Sequence, residues 1–446
     1  DDSTTYLAID YSLGLKSEFK DGGPIFYLKL ERNGPYDYGS PLFVHNTLMT
    51  TGGAIERYRN DELLPELEEF WLDTPLFRQL RLKLGLYTYE VGNGFSLNGA
   101  FENYGVTLFR ESENLRWRLY YCRPDASHKN RLGPRIKQDI EQGVAYEHNA
   151  ANFFATDVAF NLGKSSFQPY VGVLTDYTSA GKRLNSFTAS VKRDILGTFG
   201  LAWSLNQDSL SLNAELARNF GKAESDSPGY KDIYHTGYLF YAGADYCMGN
   251  LTPSFQFLLT SGNKVNTNMA EDDTLTSSKN RAFSCSSPLN NNLGDSISNS
   301  NVDMLPIVAM GGGYGLNYGI PRPGTFCAAD FDNLIMPSIG FDFNVTDKLA
   351  IGFYGYYLSV FEKGVGMLGG KARYLSRELG YETDLFIDYQ LNQNTLVSFL
   401  AGCFFPGRYY KELRDDTDGS LFSPFVRGDG KADTAYQFEI ALELKF

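Results

Sequence analysis

Ala435 to Phe446 reads AYQFEIALELKF, and its alternation decides the fold. A strand has a side-chain period of two, so Tyr436, Phe438, Ile440, Leu442, Leu444 and Phe446 share one face. Gln437, Glu439, Glu443 and Lys445 share the other. One face suits lipid and the other water, the pattern of a closing strand in a membrane-spanning β-barrel. A soluble sheet lying on a core alternates in the same way, so repetition along the chain must choose between the two.

The pattern repeats from end to end. It returns as Leu7, Ile9, Tyr11, Leu13 and Leu15, as Leu80, Leu82, Leu84 and Leu86, as Leu115, Trp117, Leu119 and Tyr121, and as Phe199, Leu201, Trp203 and Leu205. Later examples are Ile339, Phe341, Phe343 and Val345, then Tyr381, Leu385, Ile387 and Tyr389. Each segment has about the 9 to 11 residues that a tilted membrane strand needs. The expectation is an all-β fold, a single transmembrane antiparallel β-barrel of about 18 strands over residues 1–446. Tight turns are expected at Glu113-Asn114, Leu196-Gly197, Gly249-Asn250, Asp347-Lys348 and Gln393-Asn394. Long polar loops are expected near 34–65, 90–100, 125–151, 222–231, 262–331, 361–379 and 407–432. Short turns on one side and long loops on the other are the habit of bacterial barrels. Counting forward from Tyr6, however, places loop 34–65 on the wrong side. Either one strand between 165 and 221 is divided or merged wrongly or the first strand is not a standard member, and the count is 16 to 18, even numbers being the rule for bacterial barrels. Loop 262–331, rich in Ser, Asn, Gly and Asp, reads as a constriction folded into the lumen or packed over its mouth. The alternative is an external loop. Its Gly311, Gly312, Gly313 and Gly315 lack the strand-then-helix setting of a phosphate-binding run.

Composition agrees. Of 446 residues 43% are apolar and 15% aromatic, with 30 Tyr and 33 Phe, yet mean hydropathy is negative. No apolar run approaches the roughly 20 residues of a membrane helix, so a helical membrane protein is excluded. No basic, apolar leader precedes Asp1, and the chain is read as a mature, exported one. Net charge is −13, which argues against nucleic acid as a partner and favours cations near the protein. The five Cys lack C-x-x-C or zinc spacing, so no haem or structural zinc is expected. Cys285 and Cys327 share the longest loop and are a candidate disulfide, two thiols being the plainer reading.

The inward positions carry the chemistry. Arg81, Lys83, Arg116 and Arg118 build a basic wall, with Lys29 and Lys192 as further contributors. Glu382, Asp384, Asp388, Glu439 and Glu443 build an acidic one. Opposed pore-lining walls make permeation of charged solutes depend on their sign and on salt; the plain alternative is that the groups pair with lumen neighbours. The four His (His45, His128, His148 and His235) adjoin no nucleophile motif, and no catalytic residue is expected. Asp416 and Asp418, in the run Asp415 to Gly419, resemble the start of a calcium loop without its closing Glu; a solvated acidic turn is the favoured reading, with adventitious calcium as the alternative. Trp71, Trp117 and Trp203 are candidates for interfacial girdles, core packing being the other use.

Leu80 to Gly94 (LRLKLGLYTYEVGNG), Leu258 to Gly262 (LLTSG), Leu379 to Leu391 (LGYETDLFIDYQL) and Ala401 to Gly407 (AGCFFPG) occur in order along the chain. With them the sequence resembles outer-membrane porins of the alginate-export-like superfamily. The resemblance implies a monomer-sized barrel of about eighteen strands with a polar lumen. It implies residence in the bacterial outer membrane, crossed many times amid lipid and lipopolysaccharide. The function expected is passive diffusion of small hydrophilic solutes with a mild cation preference, with a homotrimer as a candidate assembly. The net charge and acidic wall speak against an acidic polymer as cargo. A saccharide-type channel is a second expectation. A sheath for a multihaem cytochrome is a third, and it predicts copurifying haem and a lumen emptied of the chain's own long loop. An adhesin or receptor built on the long loops is a fourth.

Overall fold

The computed structural model describes residues 11–19, 22–32, 66–77, 79–87, 89–99, 104–122, 151–176, 191–225, 231–266, 271–272, 278–283, 333–368, 371–412 and 434–444. β1 (Tyr11–Glu18) and β2 (Ile25–Arg32) form the first hairpin, β3 (Glu66–Phe77) and β4 (Leu80–Leu86) the second. A small hairpin of β5 (Tyr89–Val91) and β6 (Leu97–Gly99) follows. Next come β7 (Tyr104–Glu111), β8 (Leu115–Cys122), β9 (Ala151–Leu162), β10 (Ser165–Asp176), β11 (Val191–Gln207) and β12 (Leu210–Ser225). The short β13 (Ile233–His235) precedes β14 (Tyr238–Tyr246) and β15 (Leu251–Thr260). Three minimal strands, β16 (Val265–Asn266), β17 (Glu271–Asp272) and β18 (Lys279–Asn280), lead to β19 (Leu334–Thr346) and β20 (Leu349–Val360). The hairpin of β21 (Val365–Leu368) and β22 (Lys371–Tyr374) precedes β23 (Glu378–Asn392) and β24 (Thr395–Pro406). A short helix α1 (Arg408–Glu412) and β25 (Ala435–Leu444) complete the order.

One sheet holds 19 strands; setting aside β13 and β18, which pair with each other in parallel, 17 remain as an antiparallel meander in chain order. The fold is all-β, of barrel type. β1 pairs with β2 and β25 with β24, leaving their outer edges as the two ends of the described meander. Every tight turn lies at one end of the meander, and every long connection, 33–65 among them, lies at the other. Gly163, Asp208 and Gly249 supply the positive φ that two-residue turns require.

The count corrects the sequence reading at one place. Leu196-Gly197 is not a turn: β11 runs through it as one 17-residue strand. Gly197 faces Val173 on one side and Phe220 on the other, and a Cβ there would stand 2.2 Å from the Phe220 ring. The glycine seats an aromatic ring rather than bending the chain. Joining the two halves leaves 17 strands among the described residues, within the expected range of 16 to 18, and returns the connection between β2 and β3 to the side of the other long ones.

The two faces differ as the alternation requires. On β25, Phe438, Ile440 and Leu442 are 68%, 79% and 62% exposed, and Leu13, Phe154, Phe199, Leu216, Ile339 and Tyr381 are exposed on other strands. The inner face gathers Tyr120, Phe153, Tyr170, Tyr241, Leu258, Met336, Tyr356, Leu400 and Phe404 into one buried cluster. Trp117 and Trp203 sit on the outer face near the turns, whereas Trp71 faces inward and stacks on Tyr27 at 5.2 Å.

Candidate functional site: the lumen

Directly opposed residues of paired strands share a face, so the register lays out the lumen wall. One inward row runs Arg81, Phe109, Arg118, Asp157, Tyr170, Gly200, Ala217, Leu239 and Thr260 from β4 to β15.

Across this wall lies the β5–β6 hairpin, residues Tyr89 to Gly99. Buried carboxylates hold it. Glu215 of β12 accepts hydrogen bonds from Ser96 Oγ (2.6 Å), Tyr170 OH (2.6 Å) and the Asn93 amide (2.7 Å). Asp157 of β9 accepts from Tyr89 OH (2.9 Å), Arg118 Nε (2.8 Å) and Gln168 Nε2 (2.9 Å). Rings complete the docking: Tyr89 stacks on Tyr120 at 4.3 Å, and Phe95 meets Tyr241 at 4.7 Å. Two glycines make room. Gly92 takes φ +66 with its hydrogen toward Glu215, and a Cβ on Gly172 would press 2.7 Å from Leu97. The Glu90 carboxyl is pushed up to about 7, chiefly by burial and further by Glu215, with Arg118 opposing.

The predicted basic residues of β4 and β8 come together on the inner face. Arg81 pairs with Asp73 at 2.8 Å and donates to the carbonyls of Gly22 and Gly23. Arg118 pairs with Asp157 and donates to the Glu90 carbonyl at 2.8 Å; Arg116 reaches the same carboxylate at 3.9 Å. The Lys83 ammonium lies over Trp71 and Tyr87, 4.0 and 4.3 Å from the ring centres.

Of the predicted acidic residues, Glu382 and Asp384 are 1% and 0% exposed, opposite Tyr356 and Tyr354. Asp388 is half-buried and accepts from Ser398 Oγ at 2.5 Å; Glu443 is exposed. The side chains of Glu439 and Lys192 lie outside the described residues, as do Asp416, Asp418, Cys285, Cys327, His45, His128 and His148. So does residue range 284–332, most of the predicted constriction loop. Its described beginning enters the lumen, where Phe283 is buried in the central cluster. Toward the turns the inner face opens, and Asp342, Asn344 and Asn206 are exposed there. Asp342 accepts a hydrogen bond from Tyr354 OH. Among the described residues no cluster of three or more His, Cys, Asp or Glu could hold a metal ion, and Cys122, Cys247 and Cys403 are thiols.

Asp157, Glu215 and Asp342 escaped the sequence reading. Their signal was a carboxylate at an inward position of an otherwise clean strand, as in Ala214-Glu215-Leu216. The run Gly92-Asn93-Gly94 also marked a folded hairpin rather than a plain loop.

No family model and no curated relative matches the chain. Solved structures of similar outline exist. OccK2 (OpdF) of Pseudomonas aeruginosa, in complex with glucuronate, is 11% identical with a TM-score of 0.47, covering 98% of this chain and 90% of that one. OpdK of the same organism, with vanillate, is 9% identical with a TM-score of 0.47, covering 98% and 92%. A BenF-like porin of Pseudomonas fluorescens Pf-5 is 11% identical with a TM-score of 0.44, covering 89% and 85%. The functional reading rests on the chain's own two faces.

Proposed function

We propose that this chain is a bacterial outer-membrane porin, a channel for small hydrophilic solutes with a mild preference for cations. The observation that carries the reading is the two-faced meander: exposed apolar residues outside, carboxylates and hydroxyls inside. A soluble sheet would cover its apolar face, whereas lipid is the solvent that suits it. The resemblance to alginate-export-like porins supports the same class. The hairpin Tyr89–Gly99, docked on the inner face, narrows the lumen. Cation preference would come from the turn-side acids, the exposed Asp342 and Glu443 and the half-buried Asp388, not from the buried Glu382 and Asp384.

The test is single-channel recording of the purified protein in asymmetric KCl. An open channel with a cation-directed reversal potential is expected, reduced in the triple variant D342N/D388N/E443Q and unchanged in E382Q. An intact barrel without conductance would overturn the channel, and a reversal potential indifferent to the triple variant would overturn the selectivity.

A further inference from the structure

Two described parts of the start of the longest connection, residues 261–266 and 278–283, are tied to the segment before β14 by a hydrogen-bonded chain ending on a histidine. Asn263 Oδ1 accepts from two backbone amides, Arg281 at 2.7 Å and Ala282 at 3.2 Å. Its Nδ2 therefore has to be the end that meets Asn280, and it donates to Asn280 Oδ1 at 2.9 Å. Ala282 N also points at that oxygen, at 3.2 Å. Asn280 Nδ2 is thereby turned toward His235 Nδ1, 3.4 Å away. An amide nitrogen can only donate, so Nδ1 must accept and the ring's proton must sit on Nε2. There it donates to Asp194 of β11 at 2.8 Å. Every donor and acceptor direction follows from two backbone amides, and the result requires a neutral His235.

We propose that His235 is a pH-operated latch on the mouth of the barrel, closed when the imidazole is neutral and released from Asn280 when it is protonated. Protonation places N–H on Nδ1 against the N–H of Asn280 Nδ2, two donors face to face. Turning the Asn280 amide over would relieve that clash only by setting its NH₂ against Asn263 Nδ2 and the Ala282 amide. The bond to Asp194 strengthens with the positive charge, so the ring stays on the wall and the Asn280 side chain lets go. The backbone clasp is small: β13 and β18 pair only at Tyr234–Lys279 and His235–Asn280, with the Tyr234 amide on Ser278 O (2.9 Å) and the Thr236 amide on Asn280 O (2.8 Å). The residues just beyond, which lead to the buried Phe283, are held separately: Ser261 Oγ donates to the Arg281 carbonyl at 2.6 Å and the Phe283 amide to the Ser261 carbonyl at 2.9 Å, so the latch acts on the β13–β18 pairing itself.

The neighbouring charges are otherwise engaged. Arg193 of β11 pairs with Glu224 of β12; Lys222 of β12 pairs with Glu224 at 3.2 Å and with Asp232, just before β13, at 2.9 Å. Lys279 of β18 is exposed, and Arg281 follows Asn280. Asp194 alone of these carboxylates bonds to the ring. This inference stands apart from the porin reading, since the latch is defined by the fold whether or not the barrel conducts.

The test is hydrogen exchange of residues 231–238 and 278–283 in the full-length, detergent-purified protein at pH 5 and pH 7.5, corrected for intrinsic rates. Loss of the clasp should speed exchange of the Tyr234 and Thr236 amides at pH 5 by roughly five- to tenfold. His235→Gln, which does not titrate, should abolish that difference. Asn280→Asp should reverse it, because a carboxylate accepts from the protonated ring and holds the clasp tighter at pH 5. Equal exchange at the two pH values in the native protein, or Asn280→Asp retaining the native sign, overturns the latch. Should His235→Gln fail to fold, the sign in Asn280→Asp decides alone.

Discussion

Glu215 and Asp157 are wall residues whose hydrogen-bond donors come from a different element, which makes each a test of how the lumen is filled. Glu215 has three donors within 2.7 Å, two of them on the hairpin. Hydrogen bonds to a charged group contribute about 1.5–3 kcal/mol each. Glu215→Ala should therefore weaken hairpin docking by about 3 kcal/mol or more, raise single-channel conductance, and expose the 89–99 segment to protease. Unchanged conductance and protease resistance would show that the hairpin is held elsewhere. Arg118→Met poses the opposite problem, leaving the Asp157 carboxylate buried beside its remaining partners without its close cation. Removing one partner of such a pair costs about 3–5 kcal/mol, and the expected result is a lower denaturant midpoint in detergent. Asp157→Asn in the same background should restore part of the loss, a coupling that a double-mutant cycle would measure.

At the scale of elements, the hairpin carries its own pH dependence. Glu90 is pushed up to about 7 by burial, so the docked hairpin holds a proton that an undocked one would release. Docking is strongest below the ordinary glutamate range of about 4.3 and weakens as pH rises through about 7. Exchange across 89–99 should therefore quicken between pH 5.5 and pH 8 beyond its intrinsic change, and Glu90→Gln should flatten that rise. The sign is opposite to that of the His235 latch and falls on different peptides. The spanning strands themselves were legible because a period of two is written residue by residue, as in Phe199, Leu201, Trp203 and Leu205. The glycine of Leu196-Gly197 misled because sequence does not say whether a missing side chain serves a turn or the ring of Phe220 directly opposite on the neighbouring strand. The same blindness hid the site. Glu215 and Asp157 read as inward acids among many, and only the fold shows that a hairpin more than a hundred residues before Glu215 lies against it.

For the whole molecule, the decisive question is which solvent faces the outer surface. Ile440 lies within β25 and is 79% exposed. If water covered that surface, Ile440→Lys would alter stability by no more than about 0.5 kcal/mol, as surface substitutions commonly do. If hydrocarbon covers it, a lysine in the midplane costs about 2–4 kcal/mol, falling toward zero near the interfaces. Ala441, the next residue, pairs with Ser398 on the inner face, and a lysine there meets the lumen instead. Urea-dependent folding into phosphatidylcholine vesicles should thus show a large penalty for Ile440→Lys and a small one for Ala441→Lys. A lysine series at Phe438, Ile440, Leu442 and Leu444 should trace the depth of the bilayer along the strand. Equal, small effects at all five positions would mean that the apolar face meets water or another protein, and the channel reading would fall with it. The alternation of Ala435 to Phe446, by itself compatible with either solvent, becomes a measured profile of the medium around the barrel.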